Sequence, residues 1–322
     1  MNKFILSEEA QKHLSDGSQI VVSVSGGKDS TATCLFLYEN GYSQSDFLRV
    51  FADTGWESLE TYEYLDEVEK IIGPITHVKN ILPLDRFDDE IKNFILEEEE
   101  RLGRESGFIR YVFKNYIFPS SLRKYCTREL KLVPIKRFAD SLDCDWINAV
   151  GVRREESSRR STVEEWEWNE GLNAWTWRPL YQWTEEDVID IHHRFGIVPN
   201  QLYLNGSNRV GCWPCIYANK ADIKLLDQGR LELIDRMERM LGKKGIEQSD
   251  PESKKHKRIK MRKTAEGHYF NPMFERTGSI MKTYEWSQTS RGGRQFELFD
   301  TASPTCAKWG MCDMTGAVRN FK

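Results

Sequence analysis

Ser25-Gly26-Gly27-Lys28-Asp29-Ser30 follows the apolar run Ile20-Val21-Val22-Ser23-Val24 and precedes Thr31-Ala32-Thr33-Cys34-Leu35-Phe36-Leu37-Tyr38. The flanks read as a β-strand that enters a helix through a glycine pair. Such a junction presents bare backbone N–H groups and the positive end of a helix dipole, which together attract phosphate. The glycines let the backbone approach an anion, Lys28 adds a point charge, and Ser25 and Ser30 offer hydroxyl donors. The spacing is not that of a Walker loop, which needs four residues between its first glycine and Gly-Lys-Ser/Thr. Asp29 would repel phosphates unless a divalent cation lay between them, so Mg²⁺ is expected there. A solvated turn accounts for Gly-Gly or Asp-Ser taken singly, but less well for six such residues in a strand–loop–helix setting. The expectation is a nucleotide-phosphate loop, with Lys28 and Asp29 as its catalytic pair.

Around this loop the first half of the chain alternates strand-like and helix-like segments. Leu48-Arg49-Val50-Phe51-Ala52, Ile75-Thr76-His77-Val78 and Asp145–Gly151 read as strands, and Ser58 to Ile72 has helical periodicity. This alternation predicts an α/β fold, a Rossmann-like parallel sheet with helices on both faces. Ligands of such sheets bind beyond the carboxyl ends of the strands. The glycine loop and Asp53-Thr54-Gly55 both fall there, so the two become neighbours at one site. A tryptophan-rich hairpin is expected from Trp166-Glu167-Trp168 and Trp175-Thr176-Trp177, with cross-strand pairing favoured over base stacking. Thr184-Glu185-Glu186-Asp187 opens a helix that ends near Phe195-Gly196, and Ala221–Leu241 reads as a further helix.

The chain has 322 residues, 39% of them hydrophobic and 30% charged, enough for one large core or a core with an appended subdomain. The expected division is 1–220 for the nucleotide domain and 221–322 for a basic, mainly helical C-terminal region. Residues 1–220 carry 26 Lys+Arg against 36 Asp+Glu (net −10), and residues 221–322 carry 20 against 14 (net +6). The positive excess centres on Lys254–Lys263, with Arg291-Gly292-Gly293-Arg294 beyond it. It reads equally as a contact with DNA or RNA and as a solvated segment. No apolar stretch reaches membrane-spanning length, and Met1–Glu9 lacks the features of a secretory signal, so no membrane partner and a cytoplasmic location are expected.

Three further segments carry chemistry. Asp53-Thr54-Gly55-Trp56-Glu57 follows the second strand, and Gly151-Val152-Arg153-Arg154-Glu155-Glu156 supplies guanidinium forks suited to phosphate, with Arg153 and Arg154 the favoured contacts and Arg159 and Arg160 left open. Cys212-Trp213-Pro214-Cys215 places two thiolates at a spacing that suits one metal or cluster. A disulfide framework is not expected of seven cysteines in a reducing compartment. Cys34 and Cys144 are read as core thiols.

The loop resembles the pyrophosphate loop of the adenine-nucleotide α-hydrolase superfamily. Asp53–Glu57, Gly151–Arg159, Arg178-Pro179-Leu180, Trp183–Val188 and Ile197–Gly206 then follow in the order seen in the phosphoadenylylsulfate reductases and their relatives, over roughly residues 18–220. The resemblance implies cleavage of ATP at the α phosphorus, with the loop holding the departing phosphates. It also implies a [4Fe–4S] cluster on Cys126, Cys212, Cys215 and one of Cys306 or Cys312, with Zn²⁺ on the same thiolates as the alternative. Residue 125 is tyrosine where the iron–sulfur reductases carry a tandem Cys-Cys, and the reductases' Glu-Cys-Gly-Leu/Ile-His sequence is absent. The chain therefore resembles most the iron–sulfur ATP pyrophosphatases of DNA phosphorothioation systems. That implies adenylylation of an acceptor for sulfur transfer, with a sulfur donor such as a cysteine desulfurase as partner. The alternatives are a phosphoadenylylsulfate or adenylylsulfate reductase, and a non-catalytic nucleotide-binding module.

Overall fold

The computed structural model describes residues 4–158, 160–247, 269, 279–289 and 309. Six strands form one sheet: β1 (Gln19–Val24), β2 (Phe47–Ala52), β3 (Ile75–Val78), β4 (Trp146–Ala149), β5 (Trp166–Asn169) and β6 (Ala174–Trp177). Their spatial order is β3-β2-β1-β4-β6-β5. All pairings are parallel except that between β5 and β6. The α/β reading therefore holds, and the strands lie where the apolar runs placed them. From β1 the chain winds one way to β2 and β3 and returns on the other side to β4. The switch point lies between β1 and β4, where ligands of such sheets bind.

Both faces of β1 are buried because its residues alternate between two cores. Ile20, Val22 and Val24 pack with Leu35, Phe36 and Trp177, while Val21 packs with Val50, Ile135 and Ala139. Helix α1 (Glu8–Leu14) precedes β1, α2 (Lys28–Glu39) opens directly at the glycine loop, and α3 (Leu59–Ile72) is capped by Ser58, whose side chain accepts from the Thr61 N–H. A third core gathers Trp56, residues of α4 (Asp89–Leu102) and α5 (Gly107–Asn115), and Leu231, Ile234 and Met237 from the helix Gln228–Glu247. This core joins residues from both sides of position 220.

The hairpin forms by cross-strand aromatic pairing: Trp166 stacks on Trp177 at 5.5 Å, and Trp168 meets Trp175 edge-on at 5.6 Å. Thr184 caps the helix Glu185–Arg194 through a reciprocal bond pair with Asp187. Two expectations are corrected. Ala221–Leu241 is two helices, Lys220–Lys224 and Gln228–Glu247, because Asp227 caps a new start by accepting from the Arg230 N–H. Cys144 is exposed beside Asp143, a residue with φ 53°, whereas Cys34 is a buried core thiol as expected. Among the described residues no helix is long and apolar enough to cross a membrane.

Candidate nucleotide and thiol site

The loop between β1 and α2 is shaped by two close approaches. Gly26 has φ 73°, and a Cβ there would lie 2.6 Å from the Thr61 methyl group on α3. Gly151, just beyond β4, passes so near the loop that its Cβ would lie 2.3 Å from the Asp29 carbonyl oxygen. The loop is thus clamped between α3 and the end of β4. Ser30 Oγ donates to the Gly27 carbonyl and accepts from the Ser25 N–H, and the Ser25 and Ser30 hydroxyls lie 3.2 Å apart. Lys28 N donates to the Tyr203 hydroxyl at 3.3 Å, and Asn200 Nδ2 reaches the Gly26 carbonyl at 3.4 Å. Among the described residues no acceptor meets the N–H groups of Asp29 and Ser30 in the first turn of α2, which leaves them available to an anion.

The charged side chains form a network. Arg153 is buried and its Nε donates to Asp29 Oδ1 at 2.5 Å, while its Nη1 reaches Glu155 Oε2 at 3.0 Å. Lys28 is also buried, with its ammonium 3.8 Å from Asp29 Oδ2, 3.5 Å from Glu185 Oε1 and 4.6 Å from the centre of the Tyr203 ring. Burial disfavours the Arg153 charge, yet the facing Asp29 carboxylate raises its pKa above the ordinary arginine value. Arg153 therefore stands at the loop, paired with Asp29. Arg154 does not: its Nε donates to the Val163 carbonyl and its guanidinium sits over Tyr181. Arg160 pairs with Glu156, and Arg159 lies outside the described residues.

Asp53-Thr54-Gly55-Trp56-Glu57 joins the nucleotide loop to the thiols. Asp53 is buried, which by itself raises its pKa, but bonds from Tyr62, Lys79 and the Gly55 N–H outweigh burial and lower it. Thr54 Oγ1 donates to Glu57 Oε1, and the Cys212 thiol lies 3.7 Å from the same oxygen. Glu57 and Cys212 also pair as a short antiparallel bridge. The Trp213 N–H donates to the Trp56 carbonyl, and the Trp56 indole N–H reaches the Pro214 carbonyl and the Tyr269 hydroxyl. The Cys212–Cys215 turn is consequently docked along the segment that follows β2. A cleft of about 690 Å³ lined by Glu57, Arg104, Trp213 and Arg230 lies behind this turn, with no residue of the Ser25–Ser30 loop in its wall.

Cys126 lies in the helical turn Tyr125–Thr127, which runs through a π-helical turn (Arg128–Leu132) into the helix Val133–Asp140. Pro134 has no N–H to give the Leu130 carbonyl, so the wider turn falls where the ordinary ladder must break. The π turn carries Lys131, the cation nearest the thiols in its effect. The Cys212 thiol is pushed up to about 12 by burial, with Lys131 opposing and Glu57 and Cys215 adding to the rise. Burial likewise raises Cys126, again against Lys131, and Cys215 adds to the rise. Cys212 in turn raises Lys131 more than burial lowers it. The three thiols thus share one electrostatic neighbourhood, but among the described residues no three His, Cys, Asp or Glu side chains are gathered as a metal ion requires. Of the expected four-thiolate set, Cys126, Cys212 and Cys215 are described, while Cys306 and Cys312 lie outside the described residues, as do Lys254–Lys263 and Arg291–Arg294. Sequence reasoning missed Tyr203, Glu185 and Lys131 as site residues, since none stands in a motif that by itself signals phosphate or thiol chemistry.

The sequence profile of the phosphoadenosine phosphosulfate reductase domain matches residues 19–218, the stretch that builds the sheet, the loop and the thiol turn. The chain belongs to that family. Members of the phosphoadenosine phosphosulfate reductase family are enzymes with a nucleotide-binding α/β domain. An uncharacterized 37.8 kDa protein of Escherichia phage 186 is 29% identical over 320 residues, covering 86% of this chain and 90% of that protein. An adenosine 5'-phosphosulfate reductase of Neisseria meningitidis is 28% identical over 169 residues, and one of Mycolicibacterium smegmatis is 26% identical over 166. Each match covers 52% of this chain, and 61% and 60% of the respective reductase, so the chain spans less than two thirds of either. A crystal structure of the phosphoadenylyl-sulfate reductase of Candida auris in a phosphate complex aligns with a TM-score of 0.42 at 16% identity, covering 65% of this chain and 97% of that one.

Proposed function

We propose that this member of the phosphoadenosine phosphosulfate reductase family is an ATP pyrophosphatase that adenylylates an acceptor for sulfur transfer. The observation that carries the reading is the docking of the Cys212–Cys215 turn on Asp53–Glu57, at the carboxyl end of the strands where the glycine loop also lies. Phosphate binding and thiol chemistry then share one site. An acceptor oxygen attacks the α phosphorus in line, the new oxygen–phosphorus bond forms as the bond to the β phosphate breaks, and pyrophosphate leaves with the electron pair. The Asp29 and Ser30 N–H groups and Lys28 would bind the departing phosphates, and Arg153 would neutralise developing charge. Asp29 would hold Mg²⁺, with the triphosphate supplying further oxygens and the cation supplying neutralising charge. The terminal sulfur of a persulfide on a donor protein such as a cysteine desulfurase then bonds to the activated acceptor as AMP leaves. A second thiol, from the donor or a thiol reductant, cleaves the sulfur–sulfur bond, leaving sulfur on the acceptor and a disulfide behind.

Cys126, Cys212 and Cys215, which share the electrostatic influence of Lys131, would together with Cys306 or Cys312 hold a [4Fe–4S] cluster; Zn²⁺ is the alternative. When bound, such a cluster supplies electron-transfer or sulfur-binding capacity. The basic segments 254–263 and 291–294 support DNA or RNA as the acceptor. The named relatives favour a second reading, reduction of adenylylsulfate.

Incubation of anaerobically purified protein with α-labelled ATP separates these readings. AMP with pyrophosphate, or a labelled acceptor, supports the first, and sulfite released from adenylylsulfate supports the second. ADP and orthophosphate as sole products would remove the α-phosphorus mechanism.

A further inference from the structure

Both cations at the loop are already held by carboxylates of this chain. Lys28 faces Glu185 at 3.5 Å, and Arg153 faces Glu155 at 3.0 Å. The two acids are linked, because Glu155 Oε2 also accepts from the backbone N–H of Glu185 at 2.8 Å, in the first turn of the helix Glu185–Arg194. Lys28 is 7% exposed in its side chain, whereas Glu185 is 41% exposed, so the carboxylate is the partner with room to move. A carboxylate oxygen and a phosphate oxygen are equivalent acceptors for an ammonium group.

Resting on the reading that nucleotide phosphates bind at Ser25–Ser30, we propose that Glu185 is an affinity-determining residue of this site. Its carboxylate takes the place on Lys28 that a phosphate oxygen would occupy, and it must yield when nucleotide enters. The helix that follows β6 is thereby electrostatically tied to occupancy of the loop. A ligand carrying one weak charge gains little from displacing Glu185, while a pyrophosphate or triphosphate group engages Lys28, Arg153 and the α2 N-terminus together.

The test is equilibrium binding of ATP and of inorganic pyrophosphate to the full chain at two ionic strengths, with melting curves to check folding. Glu185→Gln keeps the size and the helix start while removing the charge. It is expected to tighten both ligands about three- to fivefold at low salt, the scale of a partly exposed ion pair. The gain should fade at about 0.5 M salt, where screening is strong. That fading is a signature that a purely structural role would not give. Glu185→Ala should show the same gain, and Glu186→Gln, on the same exposed turn, should leave affinity unchanged. Wild-type binding with no gain in Glu185→Gln overturns the proposal and leaves the nucleotide reading standing. An equal gain in Glu186→Gln also overturns it, since the effect would then be net charge alone. No binding of either ligand to wild type or Glu185→Gln overturns both readings.

Discussion

Replacing Gly151 with alanine tests the contact that clamps the glycine loop. The added Cβ would stand 2.3 Å from the Asp29 carbonyl oxygen, 2.4 Å from its carbon and 2.7 Å from the Ser30 nitrogen. Non-bonded heavy atoms settle near ~3.5 Å, so the loop and β4 must separate by about 1 Å. All three atoms are backbone at the start of α2, and none can rotate aside as a side chain would. Overpacking of this kind costs ~1–3 kcal/mol, and clashes with three backbone atoms place Gly151→Ala toward the upper end. At a few degrees per kcal/mol in a chain of this size, the midpoint should fall by roughly 5 °C. Displacing the loop by the same distance removes the alignment of the Asp29 and Ser30 N–H groups, so ATP should bind about tenfold more weakly or worse. Thermal unfolding followed by circular dichroism, with equilibrium ATP binding on the same samples, measures both effects. Gly229→Ala is the control, because among the described residues its Cβ meets only the Asp227 carboxylate, at 3.2 Å, and a side chain can give way. A Gly151→Ala protein with wild-type midpoint and wild-type ATP affinity would refute the close approach, and with it the placing of the loop at the β1–β4 switch point.

Arg153→Ala removes the closer of two buried cations beside the Asp29 carboxylate and leaves Lys28 at 3.8 Å, so a loss of about 2 kcal/mol in stability, the scale of a hydrogen bond to a charged group, is expected; a chemical denaturation midpoint equal to wild type would contradict the pairing. Burial pushes His192 down to about 4, against its bond to the Val188 carbonyl, so the native state binds fewer protons than the unfolded chain between about pH 6.5 and 4. Its contribution is complete above about pH 6.5 and is lost on acidification, up to ~3 kcal/mol by pH 4. Urea unfolding across that range should therefore show a shallower pH slope in His192→Asn than in wild type, and equal slopes would exclude the assignment. For the thiols, iron and acid-labile sulfide in anaerobically purified protein should drop sharply in Cys212→Ser and Cys215→Ser; stoichiometric zinc without iron in wild type would select the alternative metal. Tyr203→Phe removes the acceptor of the Lys28 N–H and should cost about 1 kcal/mol, visible as a small fall in the unfolding midpoint, and an unchanged midpoint would dismiss that bond.

The strands were legible because their signals are local. Ile20–Val24 and Leu48–Ala52 are apolar on both faces, as a sheet covered on both sides requires, and the glycine pair between Val24 and Thr31 reports its own backbone needs. Thr184 announced its helix by capping chemistry that acts within three residues, and the helix after Ser58 by its apolar periodicity. Cys144 was misread because a thiol beside Trp146 suggests a strand, while its flanking Asp143 and Asp145 hold the segment in an exposed turn. Arg154 was misread because two adjacent arginines look alike in sequence, yet backbone geometry turns only Arg153 toward Asp29.

By itself, then, the sequence determined the parallel sheet, the glycine loop at the end of β1 and the candidate thiols, since each rests on short-range periodicity or spacing. Tertiary structure alone decided which groups face one another: Gly151 against Asp29, Arg153 and Glu185 on the charges of the loop, and Glu57 beside Cys212. These pairs are separated by 122, 124, 157 and 155 positions in the chain. The sheet order brings them together, and no local preference of the backbone encodes such a meeting.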